Sequence, residues 1–71
     1  MTRYGIFVRR SARKAFRARP ADDETRMVVK ACMQAGGFPT EDAARAVLAQ
    51  FSAEARAMLE VSEFTYAGAF A

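Results

Sequence analysis

The chain has 71 residues, enough for one domain that buries roughly 60% of its unfolded surface, and its lone cysteine, Cys32, excludes an intrachain disulfide and a multi-cysteine zinc site. Its charge is lopsided: residues 1–20 carry seven basic and no acidic side chains (+7), residues 21–71 carry four basic and eight acidic ones (4 − 8 = −4), and the sum is +3. With no histidine the usual general base near neutral pH is missing, and no apolar run reaches the ~18 residues of a membrane span.

Tyr4–Val8 reads as a strand, because Tyr4, Ile6 and Val8 alternate with Arg3, Gly5 and Arg9. Phe7 breaks the alternation, so the second face of this strand is expected to be partly covered. Residues 10–14 are polar and basic. They are expected to turn the chain into a second strand over Ala15–Arg19, where Phe16 and Ala18 alternate with Arg17 and Arg19, giving a basic hairpin. The turn contains no Gly or Asn, the residues that favour tight hairpins.

Pro20 ends the basic segment. Asp22 suits a helix N-cap, and Asp23 and Glu24 suit the positive end of the helix dipole. Val28, Ala31, Cys32 and Ala35 keep helical spacing, and Gly36-Gly37 supply a C-cap, so the pattern predicts a helix over about residues 23–35. A strand over Arg26–Met33 competes with it, since Met27, Val29, Ala31 and Met33 also alternate; the capping at both ends favours the helix. A second helix starts at Thr40, with Glu41 and Asp42 in its first turn and Ala44, Val47, Leu48 and Phe51 on its buried stripe. It ends near Phe51 or continues through Ala53–Ala57. Met58–Tyr66 reads as the final strand, with a bulge near Ser62–Glu63 to account for the change of parity between Val61 and Phe64. Residues 67–71 read as a tail outside a single domain of residues 1–66. The elements predict an α+β fold in which a small antiparallel sheet packs against two helices.

Chemistry-bearing constellations are scarce. Cys32 falls on the apolar stripe of a helix and reads as a small buried hydrophobe. Asp22, Asp23 and Glu24 are contiguous, so they cannot all converge on one ion, and capping accounts for them. Gly36-Gly37-Phe38-Pro39 between two helices suggests a helix-turn-helix, yet its second helix would open with Glu41-Asp42, which phosphate repels. Among the aromatics, Phe64 is expected in the core, while Tyr66 and Phe70 suit an interface.

The basic segment is the positive finding. Arg9, Arg10, Arg13, Lys14, Arg17 and Arg19 crowd like charges together at a cost to folding, which points to an anionic partner or, in the plainer reading, to a solvated face. Five of the six are arginine, suited to bidentate contact with phosphate or carboxylate.

In its size, its lack of catalytic machinery and its plan of opening strand (Tyr4–Val8), capped helix (Thr40–Phe51) and returning strand (Met58–Tyr66), the chain resembles small accessory proteins of bacteriophages and mobile elements. Within that set it is similar to anti-CRISPR proteins that act on type I effector complexes. The resemblance implies a non-enzymatic inhibitor that docks on a CRISPR effector and blocks target DNA binding or nuclease recruitment. Its basic residues would then contact acidic protein, guide RNA or DNA. Its positive charge departs from the acidic members of that group that mimic DNA. The expected partners are therefore a large protein or nucleoprotein complex, or DNA or RNA contacted directly by the basic segment. A homodimer would extend the small core. No cofactor, metal or membrane contact is expected, and the setting is expected to be cytoplasmic, since no signal peptide is recognisable and the one cysteine fits a reducing compartment.

Overall fold

The computed structural model describes residues 2–65. β1 (Thr2–Val8) runs into a 3₁₀ turn (Arg10–Ala12) and then α1 (Arg13–Arg17). α2 (Asp23–Cys32), α3 (Glu41–Leu48) and α4 (Ala53–Ala57) follow, and β2 (Leu59–Thr65) returns antiparallel to β1. The fold is α+β in one globule, with a two-stranded sheet and four α-helices among the described residues. Among the described residues, no helix is long and apolar enough to cross a membrane.

The two strands pair in unbroken register from Thr2 opposite Thr65 to Val8 opposite Leu59. One face therefore carries Tyr4, Ile6 and Val8 beside Glu63, Val61 and Leu59, and the other carries Arg3, Gly5 and Phe7 beside Phe64, Ser62 and Glu60. The bulge expected near Ser62–Glu63 is absent. Phe64 changes parity because it serves the opposite face, where its ring meets that of Phe7 edge to face, centroids 6.3 Å apart. Both rings close over Gly5, where a Cβ would stand 2.8 Å from the Phe7 ring.

The core lies under the first face. Ile6 and Leu59 from the sheet, Val28 and Ala31 from α2, Ala44 from α3, Phe51 from the α3–α4 connection and Ala55 from α4 form one buried cluster. Val28 is fully buried while Met27 and Val29 are exposed, which is helical and not strand periodicity and resolves the ambiguity over residues 26–33 in favour of the helix. Asp22 and Thr40 cap α2 and α3 as their sequences predict, accepting from the backbone N–H of Thr25 at 2.8 Å and Ala43 at 3.0 Å.

Three boundaries differ from expectation. The hairpin over Ala15–Arg19 is absent, and that segment is helical instead. Residues 12–17 are mostly good helix formers, no turn residue supports a hairpin, and Ala12 and Phe16, four apart, turn together towards the core. The free edge of β1 is taken by Phe38, which exchanges two backbone hydrogen bonds with Tyr4 (2.9 and 2.6 Å). α2 ends at Cys32, three residues short, because Gly36 and Gly37 do not cap it. Both adopt left-handed φ (69° and 67°) to lay Phe38 against β1. A Cβ on Gly37 would stand 2.5 Å from the Tyr4 carbonyl oxygen, so only glycine fits there. α3 stops at Leu48, and the chain restarts as α4 with Ser52 as N-cap, its hydroxyl accepting from the Ala55 N–H at 3.2 Å.

Candidate anion-binding surface

The 3₁₀ turn and α1 form one continuous helical run over residues 10–17. Spacings of three and four place Arg10, Arg13, Lys14 and Arg17 along one side of it. All four are exposed, while Ala12 and Phe16 on the other side are half-buried, with Phe16 packed against the core. Among the described residues none of the four cations has an ion-pair partner, and neither segment has an acidic residue in its first turn. The pairs Arg10–Arg13, Arg10–Lys14, Arg13–Arg17 and Lys14–Arg17 all set like charges one turn apart, each costing about 0.2–0.5 kcal/mol at low salt. Cations at a helix N-terminus also oppose the dipole. Folding therefore concentrates the charge that the sequence already crowds.

Arg9 sits at the junction. Its backbone N–H donates to the Met58 carbonyl at 2.8 Å, and its half-exposed guanidinium stands 3.6 Å from the Glu60 carboxylate. Arg19, grouped with this patch by sequence, is placed elsewhere. Its side chain is 8% exposed and reaches Glu24 at 3.1 Å, Glu54 at 3.3 Å and the Thr25 hydroxyl at 3.1 Å. Glu24 in turn accepts from the Ser52 hydroxyl (2.8 Å) and the Ser52 N–H (3.0 Å), and these bonds hold its carboxyl below the ordinary range. Arg19 thus ties the end of α1 to the starts of α2 and α4, and its donors are committed to that task. Of the three contiguous acids, Asp22 caps α2, Asp23 pairs with Arg26 at 2.8 Å, and Glu24 belongs to the Arg19 network.

Two cations that the sequence assigned to the acidic half join Arg9 in space. Arg45 of α3 and Arg56 of α4 line an open cleft of about 380 Å³ together with Arg9, Leu48, Leu59, Glu60 and Val61. Sequence reading passed over them because they stand 36 and 47 positions from Arg9, in a segment of net negative charge. A second hollow, of about 330 Å³, lies on the other face of the sheet between Gly5, Phe7, Phe64, Gly37 and the end of α2. None of its described lining residues is charged, and Cys32, one of its walls, carries a thiol that partial burial pushes above its ordinary pKa. The proposed interface residues Tyr66 and Phe70, and the tail of residues 67–71, lie outside the described residues.

Comparison with protein-family models, with curated proteins and with solved structures finds no match to this chain.

Proposed function

We propose that this chain is a non-catalytic interaction protein that docks on a nucleoprotein complex, with the Arg10–Arg17 helical face as its docking element against phosphates. One observation carries the reading: four exposed cations, repelling one another along one helical side, have no ion-pair partner among the described residues. An anionic strand relieves that repulsion on binding, and arginine matches phosphate geometry bidentately. The sharpest form of the proposal is an anti-CRISPR protein that occupies the nucleic-acid path of a type I effector complex. That form rests on the chain's size and element plan. A second reading, a small module that binds DNA or RNA directly, is favoured by the same lack of ion-pair partners among the described residues.

Two measurements test this. Four phosphate contacts predict a log–log salt slope near −3.6, or a roughly 10²-fold loss of affinity for duplex DNA over a fourfold rise in salt. The charge-reversed variant Arg10→Glu/Arg13→Glu/Arg17→Glu should lose binding while remaining folded, since all three side chains are exposed. Full retention of binding by that variant refutes the docking element. Affinity capture from a bacterial lysate, with and without nuclease, then separates the two readings. A multisubunit complex that survives nuclease supports docking on the assembly, and loss of all partners supports direct nucleic-acid binding.

A further inference from the structure

The two outer edges of the β1–β2 sheet differ. On the β1 side, Tyr4 exchanges both of its backbone hydrogen bonds with Phe38, so its N–H and C=O point away from β2. Antiparallel ladders alternate between pairs that exchange hydrogen bonds and pairs that do not. Tyr4 opposite Glu63 is therefore a non-bonded pair, and the same parity applies to Thr2 opposite Thr65 and Ile6 opposite Val61. The Arg9 N–H, which donates to the Met58 carbonyl at 2.8 Å, agrees with this phase. On β2 it follows that Val61, Glu63 and Thr65 aim their N–H and C=O outward, away from β1. Among the described residues these groups have no backbone partner, and only a 3.5 Å contact from the Ser62 hydroxyl reaches the Glu63 carbonyl. Ser62, Glu63 and Thr65 are exposed. An open strand edge of this kind is a template for another strand.

We infer that this edge of β2 pairs antiparallel with the same edge of a second copy, joining two sheets into one of four strands about a two-fold axis at Ser62. Ladder phase and charge select the register. Outward residues must meet outward residues, which leaves central axes at Val61, Ser62 or Glu63. An axis at Glu63 sets two carboxylates directly opposite each other. An axis at Val61 pairs residues 59–63 alone, whereas one at Ser62 pairs the whole of Leu59–Thr65. With the axis at Ser62, Val61 meets the partner's Glu63 and Glu60 meets the partner's Phe64, so no like charges face each other. Val61 lines the cleft that holds Arg45 and Arg56, whose walls are mostly polar. The partner's Glu63 thus arrives on the side of the sheet where those two guanidinium groups stand. Glu63 and Arg56 have no ion-pair partner among the described residues, and Arg45 donates only its Nε to Glu41, at 2.7 Å. Two-fold symmetry repeats the contact, so one pairing event makes two such bridges. The inference does not rest on the Arg10–Arg17 face.

The first test is sedimentation of the full chain from about 10 µM to about 1 mM, the range in which so small an interface would associate. A monomer–dimer equilibrium is expected, weakened roughly tenfold by Glu63→Arg and restored when Arg56→Glu is added to it. The second test reads the register. At the axis the two Ser62 residues form a non-bonded pair with Cα atoms about 4.5 Å apart, within disulfide reach. In a Cys32→Ala background, mild oxidation should therefore link Ser62→Cys chains quickly and Glu60→Cys chains slowly. A monomer throughout the concentration range overturns the inference, as does equal linking at the two positions. A dimer that links at Ser62→Cys but ignores Glu63→Arg upholds the strand pairing and overturns the ion pair.

Discussion

Val28 and Val29 are adjacent and chemically identical, and the fold assigns them opposite surroundings. Val28 has no exposed surface, and Val29 is 40% exposed. Replacing Val28 by alanine deletes two buried carbons, a transfer loss of about 1.6 kcal/mol at ~0.8 kcal/mol per group. The space left adds about 1 kcal/mol in a core this tightly closed. Alanine's better helix propensity returns about 0.6 kcal/mol, so the net cost is about 2 kcal/mol. For Val29→Ala the lost burial is smaller, no closed void forms and the same propensity gain applies, leaving a change within about 0.5 kcal/mol. The total stability of a 71-residue chain is roughly 4–10 kcal/mol. The Val28 variant therefore loses a fifth or more of it. Urea unfolding followed by circular dichroism reads the difference directly. With a slope near 1 kcal/mol per molar for a chain of this size, the midpoint falls by about 2 M for Val28→Ala and by less than about 0.5 M for Val29→Ala. If Val29→Ala costs as much as Val28→Ala, or more, then residues 27, 29, 31 and 33 face inward as in a strand, and the packing of α2 described above is wrong.

Arg19→Ala should lower the melting temperature more than Arg17→Ala, because Arg19 joins three elements through Glu24, Glu54 and Thr25 whereas Arg17 only repels its neighbours; equal melting temperatures would contradict the network. Asp22 and Glu24 are held below their ordinary values of 3.8 and 4.5, Asp22 chiefly by the Thr25 N–H and Glu24 chiefly by the Ser52 hydroxyl. A carboxyl depressed in the folded state stabilises it fully above the ordinary value and loses that contribution as pH falls through the folded value. The melting temperature should thus fall as pH drops below about 4.5, less steeply in Glu24→Gln, and a flat acid profile in the parent chain would remove the network's electrostatic role. Gly37→Ala should cost at least about 1–2 kcal/mol for the left-handed backbone alone, and hydrogen exchange should show faster opening of the Phe38 and Tyr4 amides; unchanged protection would mean the loop does not depend on glycine.

Local chemistry alone specifies much of this protein. Two helix starts were legible because Asp22 and Thr40 do what a cap needs within three residues of chain. The first and last strands were legible because alternation at Tyr4, Ile6 and Val8 and at Leu59 and Val61 reports one buried face. The cationic character of residues 9–17 was legible from composition, since nothing acidic lies nearby in the chain.

What the chain alone left undecided depends on partners distant in sequence. Alternation at Ala15–Arg19 resembled a strand, but a strand needs an edge to pair with, and the edge of β1 was taken by Phe38, some twenty residues on, through a left-handed glycine pair. The break between α3 and α4 is set at Ser52, whose hydroxyl and N–H meet Glu24, 28 positions away. Arg19 looks like its basic neighbours until folding sets two carboxylates around it. Arg45 and Arg56 look like scattered charges in an acidic half until α3 and α4 bring them to Arg9. Caps and alternation act over a few residues and are written in the chain. Edge pairing, ion-pair networks and clefts are made by contacts between distant segments, and only the packed structure selects which segments meet.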